Sequence, residues 1–256
     1  MRKKIVVAIA GNPNAGKTTI FNGLTGARQH VGNYPGVTVE IKEGSCRHAG
    51  REIKVVDLPG TYSLTACSAE ELVARDFIIK TKPDVVVDVV DSSNLERNLY
   101  LSVQFIELGI PLILVFNMSD EAKARGYEFD TVQLSRYFKA RIVQTIGHKK
   151  IGMKELLDAV VQTASEKESG AQSLEKASEK QDSDLCEIRN HPFIDYGREL
   201  EEEIKVLSSM IKDIPASSGY DDRWAAVKLL ENDRELRRIF AGPAISCQLE
   251  KSIAKV

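Results

Sequence analysis

Gly11-Asn12-Pro13-Asn14-Ala15-Gly16-Lys17-Thr18 follows the apolar run Ile5 to Ala10 and precedes a helical pattern carried by Ile20, Phe21 and Leu24. The spacing GxxxxGK[ST], set between a strand and a helix, is that of a phosphate loop. Glycines let backbone N–H groups turn inward around phosphate oxygens, and the helix N-terminus adds partial positive charge. Lys17 supplies a point charge for β- and γ-phosphates and Thr18 a hydroxyl for magnesium, with Thr19 completing the nucleotide-contacting set. This unit predicts an α/β fold built on a doubly wound, mostly parallel sheet.

Outward from the loop, Val85 to Val90 and Ile110 to Phe116 are further short, β-branched apolar runs and read as buried parallel strands. Leu95, Leu99, Val103 and Ile106 recur at helical spacing and predict one buried helix face. Val37 to Asp57 alternates apolar and polar residues on both sides of Ala49-Gly50, which predicts a β-hairpin. A strand near Arg141 to Thr145 and a helix from about Met153 to Thr163 close the first domain, residues 1–165.

Ser165 to Asp184 is rich in Ser, Glu, Lys, Gln and Asp and predicts a solvated linker or frayed helix, with the linker proper at 166–189. Residues 190–256 predict a small all-α domain. Phe193, Tyr196, Leu200, Ile204, Leu207 and Ile211 fall at steps of three or four, Trp224, Val227, Leu229 and Leu230 mark a second helix, and short helices follow at 235–240 and 244–254.

Two further motifs turn the phosphate loop into a nucleotide site. Asn117-Met118-Ser119-Asp120 lies at the carboxyl end of a strand, where open α/β sheets bind ligands. The Asp120 carboxylate can accept two hydrogen bonds from guanine N1–H and its exocyclic amine, a donor pair that adenine lacks. Asp57-Leu58-Pro59-Gly60 ends another strand. Asp57 can hold magnesium through water, and Gly60 leaves its N–H free to meet a γ-phosphate and respond to its loss. Thr38, in a stretch with Gly32 and Gly36, suits a mobile loop closing on that magnesium.

The order and spacing of these motifs resemble the G domain of small GTPases over residues 1–165. That resemblance implies GTP and GDP as ligands, with Mg2+, and places Thr145-Ile146-Gly147 at the last base-contacting loop. Met118 stands where lysine is usual, Thr145-Ile146 where Ser-Ala is usual, and Thr61 where a glutamine orients the attacking water. Slow hydrolysis is therefore expected, with Lys17, Thr38, Gly60 and Asn14 as its catalytic set. Asn14 resembles the asparagine with which cation-dependent GTPases hold K+ against the phosphates; tolerance of an unusual backbone angle is the other reading.

Val31 to Glu40, Asp57 to Leu64 and Arg223 to Glu231 together resemble the cytosolic N-terminal part of the ferrous iron transport protein B family. The resemblance implies a GTPase regulating iron uptake at the cytoplasmic face of the inner membrane. Its partners would be guanine nucleotide and a transmembrane region absent from this chain. The helical domain would couple nucleotide state to that region and raise affinity for GDP; self-association is left open. A slow nucleotide sensor without significant turnover is a competing reading.

An RNA- or ribosome-associated GTPase is a third, but the 256 residues carry 35 Lys and Arg against 37 Asp and Glu. From Asn190 onward there are ten basic residues against twelve acidic ones, so no nucleic acid partner is expected. Cys46, Cys67, Cys186 and Cys247 are too scattered for a CxxC site and read as free thiols. His30, His48, His148 and His191 are isolated. The longest apolar runs fall far short of the ~20 residues that a membrane helix needs.

Overall fold

The structure, a computed structural model, describes residues 4–26, 29–34, 37–65, 68–178, 194–212, 214, 219–240 and 243–255. In chain order the strands are β1 (Lys4–Gly11), β2 (Gln29–Asn33), β3 (Glu40–His48), β4 (Arg51–Asp57), β5 (Val85–Asp91), β6 (Leu112–Asn117) and β7 (Arg141–Gln144). They form one sheet in the order β2-β3-β4-β1-β5-β6-β7. β1 lies between β4 and β5, parallel to both, and β2 and β3 add an antiparallel edge.

Side-chain alternation explains why β1 is central. Ile5, Val7 and Ile9 enter one hydrophobic layer, and Ala8 and Ala10 enter the other. Helices α1 (Lys17–Thr25) and, beyond β7, the long α6 (Met153–Ser178) cover the first layer through Ile20, Phe21, Leu24, Leu156 and Val160. Helices α2 (Ala69–Thr81) and α3 (Leu95–Glu107) cover the second through Val73, Phe77, Leu101 and Phe105. Helices α4 (Ser119–Ala124) and α5 (Thr131–Phe138) connect β6 to β7. The hairpin turns at Ala49-Gly50, both with positive φ (46° and 74°), as a two-residue type I′ connection requires.

Three local features depart from the sequence expectations. β2 is an added strand, paired with β3 inside the segment expected to be a loop. The buried face of α3 is rotated: Leu101 and Phe105 lie at its centre together with Asn98, Ser102 and Gln104, while Leu95 and Leu99 are only partly buried. Finally, α6 runs Met153–Ser178, so the linker expected to begin at 166 begins inside a helix. Glu, Lys, Ala and Gln are good helix formers, and the extension is fastened to the sheet. Arg51 reaches Ser165 at 3.0 Å and Glu168 at 2.5 Å, Arg141 reaches Glu166 at 2.5 Å, and Lys167 donates to the Pro83 carbonyl at 2.9 Å.

The C-terminal helices α7 (Arg198–Lys212), α8 (Asp222–Leu230), α9 (Arg234–Ile239) and α10 (Pro243–Lys255) enclose a third core around Trp224, Ile204, Leu207 and Ile211. Tyr220 stacks on Trp224 with ring centroids 5.9 Å apart. This core also takes in Ile79 from α2 and Leu108 from the end of α3, so the helical part packs directly on the two helices that flank the DxxG segment's side of the sheet. Arg223 grips Glu201 with both guanidinium ends at 2.7 Å. Among the described residues, no helix is long and apolar enough to cross a membrane, and no group of three or more His, Cys, Asp or Glu is placed to hold a metal. Cys46 and Cys247 are free; Cys67, Cys186, His191, Phe193 and Gly36 lie outside the described residues.

Candidate nucleotide site

The phosphate loop leaves β1 at Gly11, whose φ of 140° and contact with β5 leave no room for a side chain: a Cβ there would lie 2.3 Å from the Val89 carbonyl oxygen. Asn14 takes a left-handed φ of 66°, and its side chain is exposed at the loop's outer rim. Gly16, also left-handed at 92°, abuts Asn117; a Cβ would lie 2.2 Å from Asn117 Nδ2. Ala15 is buried and Pro13 half-buried.

Lys17 is buried, and its ammonium donates to the loop's own Asn12 carbonyl at 2.8 Å. Burial depresses its pKa, an effect that Asp57 and Asp88 oppose. Across the loop, Thr18 Oγ1 donates to Asp57 Oδ2 at 3.2 Å, while the buried Asp57 Oδ1 has no hydrogen-bond partner among the described residues. Burial pushes the Asp57 carboxyl up, against the pull of Lys17, the Thr18 hydrogen bond and Lys42. A carboxylate and a hydroxyl beside a phosphate loop are hard oxygen donors, and the unpartnered oxygen leaves the pair short of a cation. The donor set fits magnesium.

After Asp57 the chain crosses the loop's face. Leu58 N–H donates to the Ile9 carbonyl at 2.9 Å and Thr61 N–H to the Gly11 carbonyl at 3.3 Å. Pro59 and Gly60 lie between, and Gly60 sits so close that a Cβ would be 3.0 Å from Lys17 Nζ and 3.1 Å from Pro13 Cα. Thr61 is only 3% exposed, so the residue standing where a water-orienting glutamine is usual is packed inward. Thr38 is not brought to this pair. It lies exposed in the bend between β2 and β3 and makes no hydrogen bond with Thr18 or Asp57.

At the other end, Asn117 is a clamp. Its Nδ2 donates to the Ala15 carbonyl at 2.9 Å, and its Oδ1 accepts from Thr145 Oγ1 at 3.1 Å and from Gly147 N–H at 3.0 Å. One buried amide thus joins the phosphate loop to the last loop. Gly147 matters for its backbone donor and its lack of a side chain, since a Cβ would lie 3.2 Å from Asn117 Oδ1. Met118 adopts a left-handed φ of 56° and directs its side chain toward Gly16. Ile146 is half-buried and bridges back to Ile151. Asp120 stands at the rim of this end, where Lys149 Nζ donates to it at 2.9 Å and holds its carboxyl below the usual range.

Residues 5–160 match the family described as Ferrous iron transport protein B, and residues 196–256 match the FeoB cytosolic helical domain. The Fe(2+) transporter FeoB of Methanocaldococcus jannaschii is 41% identical over 93% of this chain and 32% of its own length. A Fe(2+) transport protein A/Fe(2+) transporter FeoB fusion protein of Porphyromonas gingivalis is 42% identical over 91% of this chain and 26% of its own. The chain thus spans about a third or less of these curated relatives. Among solved structures, the cytosolic domain of the T. maritima FeoB iron transporter in its GMPPNP form shares 34% identity, with a TM-score of 0.78, over 98% of this chain and 93% of that one. An S. thermophilus NFeoB mutant bound to GDP shares 31%, with a TM-score of 0.79, over 98% and 89%.

Proposed function

The chain belongs to the ferrous iron transport protein B family, and from that premise we propose that it binds GTP and GDP with magnesium, hydrolyses GTP slowly, and switches between the two states to control iron uptake through a membrane region carried by its longer relatives. One juxtaposition carries the nucleotide reading. Lys17 and Asp57 are both buried and, among the described residues, the lysine is bonded only to a loop carbonyl and the aspartate has one oxygen unmatched. Buried charges are costly without partners, and a magnesium-bound triphosphate supplies partners to both.

The roles follow from position. The phosphate loop and Lys17 hold the phosphates, Thr18 and Asp57 hold magnesium, and Thr38 joins them when its loop closes. A magnesium ion held by Thr18 and Asp57 would supply positive charge against the phosphates. Gly60, pressed against Lys17 and Pro13, would offer its N–H to a γ-phosphate. Asp120 reads guanine, while Asn117 positions both loops around the base. The exposed Asn14 side chain at the phosphate rim supports a potassium ion there, which would add positive charge to that of Lys17. Its left-handed backbone accounts for an asparagine without an ion, so potassium dependence is what separates the two accounts. On this reading the chain works at the cytoplasmic face of the inner membrane, with the membrane region as its partner.

A second reading, a nucleotide sensor without significant turnover, is favoured by the inward packing of Thr61. Steady-state phosphate release from GTP in potassium and in sodium, with ATP as control, tests both. GTP preferred and stimulated by potassium is the expected result. Equal turnover of ATP would overturn the guanine assignment, and tight GTP binding without release would leave the sensor.

A further inference from the structure

The five residues after Gly60 are gripped from one side by α3. Arg97 places its guanidinium carbon 4.4 Å from the centroid of the Tyr62 ring. Gln104 Oε1 accepts a hydrogen bond from Leu64 N–H at 2.5 Å. Seven residues, two helical turns, separate Arg97 from Gln104, so both project from the same side of the helix. The two contacts differ in kind. Arg97 and Tyr62 are exposed, whereas Gln104 and Leu64 are buried, and the buried Gln104 amide nitrogen has no hydrogen-bond partner among the described residues. A glutamine that leaves its own donor unmatched in the core, where leucine would pack more cheaply, is held there for its oxygen.

From this geometry we infer that Arg97 and Gln104 are positioning residues for the γ-phosphate-sensing segment. Anchoring Tyr62 and Leu64 fixes the far end of a short span whose near end is tied by Thr61 N–H to the Gly11 carbonyl. Gly60 is then presented to the phosphate loop from a set direction. Binding GDP asks nothing of Gly60, whereas binding a triphosphate requires its N–H to be ordered. Loosening the grip adds conformational freedom that only the triphosphate complex must remove. The inference rests on the GTP reading above, and it predicts a selective loss: triphosphate affinity and turnover fall while GDP affinity holds.

The test uses the full chain, with GDP and a non-hydrolysable GTP analogue as probes. Arg97→Met should weaken the analogue about two- to fivefold, as expected for one exposed cation–π contact, with GDP affinity within about twofold by the same measure. Arg97→Lys, which keeps the cation, should recover most of that loss. Gln104→Met, which keeps the volume and removes the acceptor, should act in the same direction by about five- to tenfold. It should also speed hydrogen exchange at the Leu64 amide in the nucleotide-free chain. That exchange measurement does not depend on nucleotide, so it separates failure of the clamp from failure of the GTP reading. Unchanged Leu64 exchange in Gln104→Met, or equal weakening of GDP and the analogue in the exposed Arg97→Met variant, would overturn the inference.

Discussion

Arg75 of α2 donates to Asp233, at the head of α9, at 2.8 Å, and neither side chain has any exposure. Glu235 also pairs with Arg75. Asp233 has a second task, accepting from the N–H groups of Glu235 and Leu236 at 3.0 and 2.9 Å to cap α9. The pair therefore welds the helical domain to the helix that follows the DxxG segment. That helix begins with a capping box at Ser68 and Glu71, and Glu71 also accepts from Ser63. Any displacement of residues 60–65 bears on α2, and α2 on the helical domain.

Removing one member of such a pair leaves the other buried and charged. Arg75→Met should cost about 3–5 kcal/mol of stability in denaturant unfolding. Adding Asp233→Asn should recover part of it, because asparagine still caps a helix and the remaining carboxylate, Glu235, is part-exposed. A double variant less stable than Arg75→Met alone would contradict this account.

Asn117→Ala deserves the opposite signature from a base-reading mutation. It strands the Ala15 carbonyl, the Thr145 hydroxyl and the Gly147 N–H, each at about 1–3 kcal/mol. All of these are scaffold groups, so GTP and inosine triphosphate should weaken by the same factor, about a hundredfold or more on that basis. Isothermal titration with both nucleotides checks this; a GTP-selective loss would mean that Asn117 contacts the base itself.

Asp120→Ala should be selective. A guanine donor pair bonded to a carboxylate is worth about 1.5–3 kcal/mol per bond, and inosine lacks the exocyclic amine. GTP should therefore lose more than inosine triphosphate in the same titration. The lost Lys149 contact is part-exposed and contributes little to the fold. Equal losses would rule out two-point recognition by the carboxylate.

The parts of the site legible in the sequence were those whose chemistry is local. A strand–glycine loop–helix unit, a two-residue turn and short motifs at strand ends declare themselves within a few residues. Asn117 was legible as a site residue, but its hold on both loops was not, because its three partners lie 28 to 102 positions away. The true face of α3 was hidden by Asn98, Ser102 and Gln104, polar residues whose burial depends on distant partners and which break the apolar period. Arg75 and Asp233, 158 positions apart, carry no local signal of their pairing. β2 went unread since Gln29-His30-Val31-Gly32-Asn33 has almost no apolar alternation; pairing with β3 makes the strand.

Asp88 lies on β5 beside the phosphate loop, fully buried, with Ser102 Oγ donating to it at 2.5 Å. Burial raises its pKa from an ordinary 3.8 to about 7, with the Ser102 bond and Lys17 pulling the other way. Between those values the folded protein holds a proton that the unfolded chain has released. Stability from this group is therefore full below the ordinary value and declines as pH rises toward 7. Burial raises Glu107 to about 7 as well, with Glu231 adding to the rise and Lys228 and Arg223 opposing it, and this adds a slope of the same sign. Asp88→Asn keeps an acceptor for Ser102 and removes the ionisation. Its denaturant midpoint should fall less than that of the parent between pH 5 and pH 8, and it should be the more stable of the two at pH 8. Parallel pH profiles for the two proteins would show that Asp88 does not titrate in this range.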